Sequence, residues 1–301
     1  MIKKIALKKL LVATISIFII ISISTIPTIK YNNKNILRTN LDIEDITNIS
    51  TNKIFLLNDN NYLVQTDIFI DTNNKEEQIE KIIEYLTINN DKIPLGLKGY
   101  IPQNTKILSK NIDNKTLYLD FSKEFLSNNT DTTITGLVYS LLGIDNINNI
   151  YITVNKAKIP GYDKLLNKSI GINNKYLFNS RKDINKVVIY YMENINDNTY
   201  YVPITKYLND KREKIEIIVD ELSKATLDDN LISTMNDNTV LLDYKEESNV
   251  LLLNFNDYLL ENYPKNEDLL QTIAYSVFAN YDVNMVMFEV NNKEYNYIKR
   301  S

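Results

Sequence analysis

The chain has 301 residues, 34 of them basic and 38 acidic, and it contains no cysteine, histidine or tryptophan. That composition excludes disulfides, Cys- or His-based zinc sites, and Ser-His-Asp or Cys-His catalysis. Its six glycines form neither G-x-x-x-x-G-K-[ST] nor G-x-G-x-x-G, so the common phosphate-cradling loops are excluded too.

The formal net charge of −4 is unevenly placed. Residues 1–38 hold seven basic groups and no acid, which leaves 27 basic against 38 acidic residues in the remainder. An acidic body is poorly suited to nucleic acid, because phosphate attraction needs clustered Lys and Arg. The basic end instead precedes "LLVATISIFIIISISTIPTI", Leu10 to Ile29. Twenty helical residues rise about 30 Å, the thickness of a bilayer's hydrocarbon core. Residues 1–30 are therefore expected to anchor the chain in a membrane, with the lysines cytoplasmic and the remainder exported. A cleaved signal is the alternative, with Ser22-Ile-Ser24 as a small-x-small site. No cysteine is present to carry a lipid. Residues 31–52 read as a polar, Asn-rich stem.

From there the chain repeats itself. "KEEQIEKIIEYL" from Lys75 aligns with "KREKIEIIVDEL" from Lys211 at an offset of 136. Ile79, Ile82, Ile83 and Leu86 in one copy, and Ile215, Ile218, Val219 and Leu222 in the other, have the spacing of a core-facing helix stripe. "TLYLDFSKEFLSN" from Thr116 then returns as "VLLLNFNDYLLEN" from Val250, at an offset of 134. Alternating Leu117, Leu119 and Phe121, matched by Leu251, Leu253 and Phe255, predict half-buried strands. A second helix follows in each copy, around "TITGLVYSLLG" and "LLQTIAYSVFA", with the offset back at 136. Closing strands carry Ile150, Ile152 and Val154, and Val286, Phe288 and Val290. Earlier strands read as "KIFLL" with "YLVQTDIFI", and as "KVVIYYM" with "TYYVPI". Loops absorb the slip of two and packed elements do not. The expectation is an α+β fold of two tandem β-β-α-β-β-α-β domains, 53–160 and 186–297. Residues 161–185 are a connector partly packed on the first domain. The abundance of Ile, Asn and Lys reads as coding bias rather than structural instruction.

Several residue types invite a chemical reading. Tyr139-Ser140 recurs as Tyr275-Ser276, but no histidine exists to activate a serine, and back-bonding to helix carbonyls is the better account. Asp120 stands at a strand end where a carboxylate could catalyse or bind metal. Its twin is Asn254, which cannot transfer a proton, and an Asx turn explains both. Glu76, Glu77, Glu80 and Glu84 read as a solvated helix face rather than a calcium site. The 21 tyrosines would suit sugar stacking but are scattered along strands. No catalytic residue, cofactor site or metal site is assigned.

The strand "LYLDFSKEF", the helix with "LVYSLLG" and the strand "NNIYITVN" together resemble the GerMN domain of spore-germination and sporulation proteins. The resemblance covers both copies, from about Lys53 to Tyr297. Lys156 and Asn292 stand where the family favours glycine. It implies a non-enzymatic, membrane-tethered structural protein of sporulation or germination, single-pass, with its domains on the extracytoplasmic side. Partners would be other proteins of an intermembrane complex, or further copies of the chain, since GerMN domains are similar to ring-building modules. The alternative is an envelope module that binds peptidoglycan or a sugar, or that assists a wall enzyme. An aromatic-lined cleft present in both copies would favour that alternative.

Overall fold

A computed structural model describes residues 49–126, 130–174, 185–224, 229–233, 235–261 and 266–300. The expected anchor and most of the stem lie outside these residues. Among the described residues no helix is long and apolar enough to cross a membrane.

In the first repeat the order is β1 (Ile49–Asn58), β2 (Leu63–Asp71), α1 (Lys75–Tyr85), the two-residue β3 (Leu97–Lys98), β4 (Ile107–Asp113), β5 (Thr116–Phe121), α2 (Thr130–Leu141), β6 (Asn149–Val154) and β7 (Ala157–Lys158). The second repeat runs β8 (Asn185–Ile195), β9 (Asn198–Leu208), α3 (Lys214–Leu222), β10 (Leu241–Glu247), β11 (Val250–Phe255), α4 (Asn266–Asn280), β12 (Met285–Val290) and β13 (Lys293–Lys299). The α+β fold of two tandem copies is thus present, with one closing strand per copy, and the two-residue β3 in the first, beyond the expected order. β1 also begins four residues earlier than Lys53, so residues 49–52 belong to the strand and not to the stem. The α3 helix begins three residues later than the repeat offset places it. Asp210 accepts from the Arg212 backbone N–H at 2.9 Å and holds a turn there, and the Glu216 side chain caps the Glu213 N–H at 3.1 Å.

Within each copy the central strands of a four-stranded sheet are parallel and joined through a helix: β5 to β6 through α2, and β11 to β12 through α4. The other strands of the two copies do not form separate sheets. The hairpins β1–β2 and β8–β9 join in one five-stranded sheet, ordered β3-β1-β2-β9-β8. The contact strands β2 and β9 are repeat equivalents and run antiparallel, paired at Gln65 and Tyr201. Those two residues are 136 apart, the offset of the helices, so a pseudo-two-fold axis passes between them.

Connector residues stitch this seam. The Asn173 side chain accepts from Leu63 N–H at 2.8 Å and donates to the carbonyls of Leu63 and Pro203, each at 2.8 Å. Ile172 and Thr205 exchange two further bonds, through Ile172 N–H to the Thr205 hydroxyl at 2.7 Å and Thr205 N–H to the Ile172 carbonyl at 2.9 Å. Leu166 bridges back to Ile150 and completes the first copy's sheet where β13 does so in the second. The connector therefore packs on both copies, and buried apolar residues from Ile54 to Phe288 form one contiguous core.

The outer edges of the shared sheet are covered rather than open. Phe55 N–H on β1 donates to Ser140 Oγ of α2, and Tyr190 N–H on β8 donates to Ser276 Oγ of α4, each at 2.9 Å. Asn280 takes both backbone groups of Val188, as a paired strand would. The sheet also curls. Three strand spacings separate β1 from β8, about 14 Å if flat, yet Asn58 donates to the Glu193 carboxylate and Asn60 does so at 3.1 Å.

Asparagine carries the turns. Among the described residues, five two-residue hairpin loops (114–115, 155–156, 196–197, 248–249 and 291–292) put both residues at positive φ, and ten of the fourteen non-glycine residues at positive φ are Asn. That conformation suits Gly, and Asn is the side chain that tolerates it best. The asparagine content is structural at these positions, contrary to its reading as coding bias. It also explains the family's glycine position, since Lys156 and Asn292 sit at φ 63° and 62°.

Lys156→Gly is expected to raise stability by about 1 kcal/mol by removing a left-handed β-carbon clash, as read from thermal melting. Asn173→Ala strips partners from three backbone groups and should cost about 2–3 kcal/mol. Urea unfolding should still show one transition, shifted as a whole. Two separated transitions would mean the copies fold independently.

Candidate functional site

The paired hydroxyls are consumed by the backbone. Ser140 and Ser276 are fully buried. Besides accepting from β1 and β8, each donates at 2.8 Å to the carbonyl four residues earlier, Gly136 for Ser140 and Thr272 for Ser276. Both the proton and the accepting face of each hydroxyl are used, and no substrate can reach them. Tyr139 donates to the Lys168 carbonyl at 3.1 Å and sets its ring edge-on to Phe55, with centroids 5.6 Å apart. Tyr275 does the matching work at the seam, 5.4 Å from Tyr190 and 5.0 Å from Tyr201, with Lys53 Nζ of the first copy 5.3 Å from its ring. Burial pushes the phenols of Tyr139, Tyr190 and Tyr275 up, so they stay protonated at neutral pH. Burial also holds Lys53 below the usual lysine range, with Arg300 acting in the same sense and Asp67 opposing.

Asp120 and Asn254 are turn anchors. Asp120 Oδ1 accepts from the Thr153 hydroxyl at 2.7 Å and from Lys156 N–H at 2.8 Å, fixing the left-handed turn after β6. Asn254 Oδ1 accepts from Asn292 N–H at 2.9 Å after β12, while its amide donates to Asn292 Oδ1 at 2.8 Å. The acidic face of α1 is matched by lysines: Glu77 with Lys81 at 2.8 Å, Glu80 with Lys110 at 2.6 Å, and Glu84 with Lys92 at 3.1 Å. Among the described residues no cluster of three or more acidic side chains could hold a metal.

What remains is a surface, and sequence reasoning passed over it. In both copies the edge strand of the four-stranded sheet bulges at its start, and the bulged residue is an outward leucine, Leu108 (49 % exposed) or Leu242 (50 %). Beside it the short 3-10 turn after β5 or β11 carries a second exposed leucine, Leu126 or Leu260. In the first copy Lys106 exchanges two 2.9 Å bonds with Ser122, and Glu124 lies close enough to feel the charges of Lys106 and Lys123. In the second copy Val240 makes the matching pair with Asn256, and Tyr258 stands in place of Glu124. The neighbouring charges of one copy are thus an apolar pair in the other. Behind them a groove of about 350 Å³ runs between α3 and β10, where Val219, Val240, Leu242 and Tyr244 lie among the charged side chains of Arg212, Glu216, Asp220 and Asp243. The buried hydroxyl of Thr239 has no partner there. In the first copy Lys110 occupies Tyr244's place and reaches across to Glu76 and Glu80 of α1. Applying the 134-residue offset to the polar positions, and not only to the apolar ones, is the signal that would have found this end.

Because Asn254 already performs the anchoring role, Asp120→Asn should change stability by less than about 1 kcal/mol, whereas Asp120→Ala should cost about 2–3 kcal/mol by leaving Lys156 N–H unpaired. Urea midpoints of the two variants decide it, and equal losses would refute the anchor role.

A family model described as "Sporulation and spore germination" (Germane) matches residues 53–159 and 188–296. The chain is 22 % identical over 267 residues to the spore germination protein GerM of Bacillus subtilis (strain 168), covering 80 % of this chain and 71 % of that one. The solved tandem GerMN domains of the sporulation protein GerM from Bacillus subtilis superpose with a TM-score of 0.74 at 20 % identity, over 84 % of this chain and 97 % of theirs. Two matched segments, the repeated strand-helix-strand frame and the tandem superposition together place the chain in the Germane family, as a GerM-like protein of sporulation or spore germination with two GerMN domains.

Proposed function

We propose that the protein acts without catalysis, as a membrane-tethered structural partner in a protein complex of the sporulating cell. The observation that carries this reading is the fate of the polar residues. The buried serines and the Asp120/Asn254 pair serve backbone bonds at equivalent places in both copies. Polar groups spent on the scaffold are unavailable to a substrate, and what differs between the copies is surface. Leu10–Ile29 supplies the tether, since its length and uninterrupted apolarity suit one bilayer crossing. Tethering raises local concentration, so that modest contacts suffice for assembly.

The sugar-binding alternative finds less support. A groove in the first copy, lined by Leu57, Ile88, Tyr100 and Thr133, and the groove beside Tyr244 in the second hold one tyrosine each and lie at non-equivalent places in the two copies. Tyr190 of the Tyr190-Tyr275-Tyr201 cluster is buried and its two neighbours are half-buried, while the more exposed pair Tyr118 and Tyr151, 6.0 Å apart, is Leu252 and Met287 in the second copy.

In the native host, a triple variant Asp120→Asn, Tyr139→Phe, Tyr275→Phe should restore sporulation and germination to a deletion strain. A chain whose residues 1–30 are replaced by an unrelated transmembrane helix should do so as well, and one secreted without any anchor should not. Loss of function in the stably folded triple variant, or full function of the untethered chain, would contradict the reading.

A further inference from the structure

The two copies present equivalent ends of opposite character. At the 3-10 turn, Lys123 of the first copy is replaced by Asp257 in the second, and Lys106 is replaced by Val240. Ser109 on the edge strand becomes Asp243, and Glu261 adds a further acid. The first end therefore sets Lys106 and Lys123 against the single acid Glu124, a net positive charge around Leu108 and Leu126. The second, where Arg212 is already held by Asp210 and Asp220, is net acidic around Val240 (50 % exposed), Leu242 (50 %), Tyr258 (39 %) and Leu260 (42 %). Four large apolar side chains left this exposed at one end of a soluble domain mark an interaction surface. Both ends share one backbone frame, with the same bulge and the same strand-to-turn pairing, so each presents two exposed leucines at equivalent positions.

We propose that the acidic, apolar end of the second repeat docks onto the basic end of the first repeat of another copy of this chain. Leu242 and Leu260 meet Leu108 and Leu126, and Asp257 faces Lys123 or Lys106. Opposite charges at the rim fix which ends meet and repel like ends. The contact joins two different surfaces, so it is heterologous, and successive copies extend head to tail into a ring or a filament according to the rotation between them. Tyr258 and Val240 supply apolar area that the first end lacks, and the lysine stems of the first end can lie against it. This docking rests on the structural role proposed above and gives that role a partner and a surface.

The absence of native cysteine allows a direct test. Two differently tagged full-length chains, one Leu242→Cys and one Leu126→Cys, are produced together in sporulating cells of the host, and membranes are treated with a short bismaleimide. Docking predicts a covalent dimer containing both tags and little dimer of either tag alone. Asp257→Lys in the Leu242→Cys chain should lower the mixed dimer by about tenfold, and Lys123→Asp in its partner should restore it. The restoring pair separates a lost contact from a lost fold. No mixed dimer, an equal yield of same-tag dimers, capture of a different protein by Leu242→Cys, or failure of the second reversal to restore would each overturn the docking. A deletion strain that still fails to sporulate would leave the structural role standing when the docking falls.

Discussion

Two equivalent edge strands, one from each half of a duplicated sequence, meet across a pseudo-two-fold axis at Gln65 and Tyr201. The rest of the architecture follows from that pairing. Once β2 and β9 are joined, the open edges of the combined sheet move outward to β8 and to the part of β1 that the two-residue β3 leaves uncovered, where unpaired backbone groups need partners. Ser140 and Ser276 supply them from helices α2 and α4, and Asn280 adds a second pair. The helices are held against the strands by polar bonds as well as by apolar contact. Asn173 then closes the seam where the two strands diverge. A shared sheet, two helix-capped edges and one stitch turn two copies into a single body with one core.

Much of this was legible in the sequence. The apolar stripes of α1 and α4, and the alternation in β5 and β11, follow from periods of 3.6 and 2, which packing enforces on every copy. The fusion of the hairpins was not legible. "YLVQTDIFI" and "TYYVPI" read as strands, but alternation gives a strand's faces and says nothing of which strand lies beside it. Asparagine was misread for a related reason. Its left-handed turns show only when one asks where the loops find positive φ in a chain with six glycines. The repeat did direct attention correctly at Asp120 and Ser140, since a role that survives as Asn254 and Ser276 is a role in the frame.

Duplication leaves a record of what each surface has been released to do. Frame residues keep their partners in both copies, as the serines show. Residues at the end of the four-stranded sheet do not. Lys106 and Glu124 become Val240 and Tyr258 together, and Lys110, which joins β4 to α1, becomes Tyr244 beside an open groove. An apolar exchange of both neighbours at an exposed end has the character of an interaction surface. The second repeat carries the more apolar surface at this end, and the first keeps Lys106, Lys110 and Glu124 there.

Hydrogen exchange at single amides tests the central claim, that the two copies are one cooperative unit, most directly. Phe55 N–H in the first copy and Tyr190 N–H in the second both donate to buried serines, at equal distances. If the copies share one core, both amides exchange only through global opening and report the same free energy. A difference of more than about 2 kcal/mol between them, with one copy opening while the other stays protected, would contradict the account.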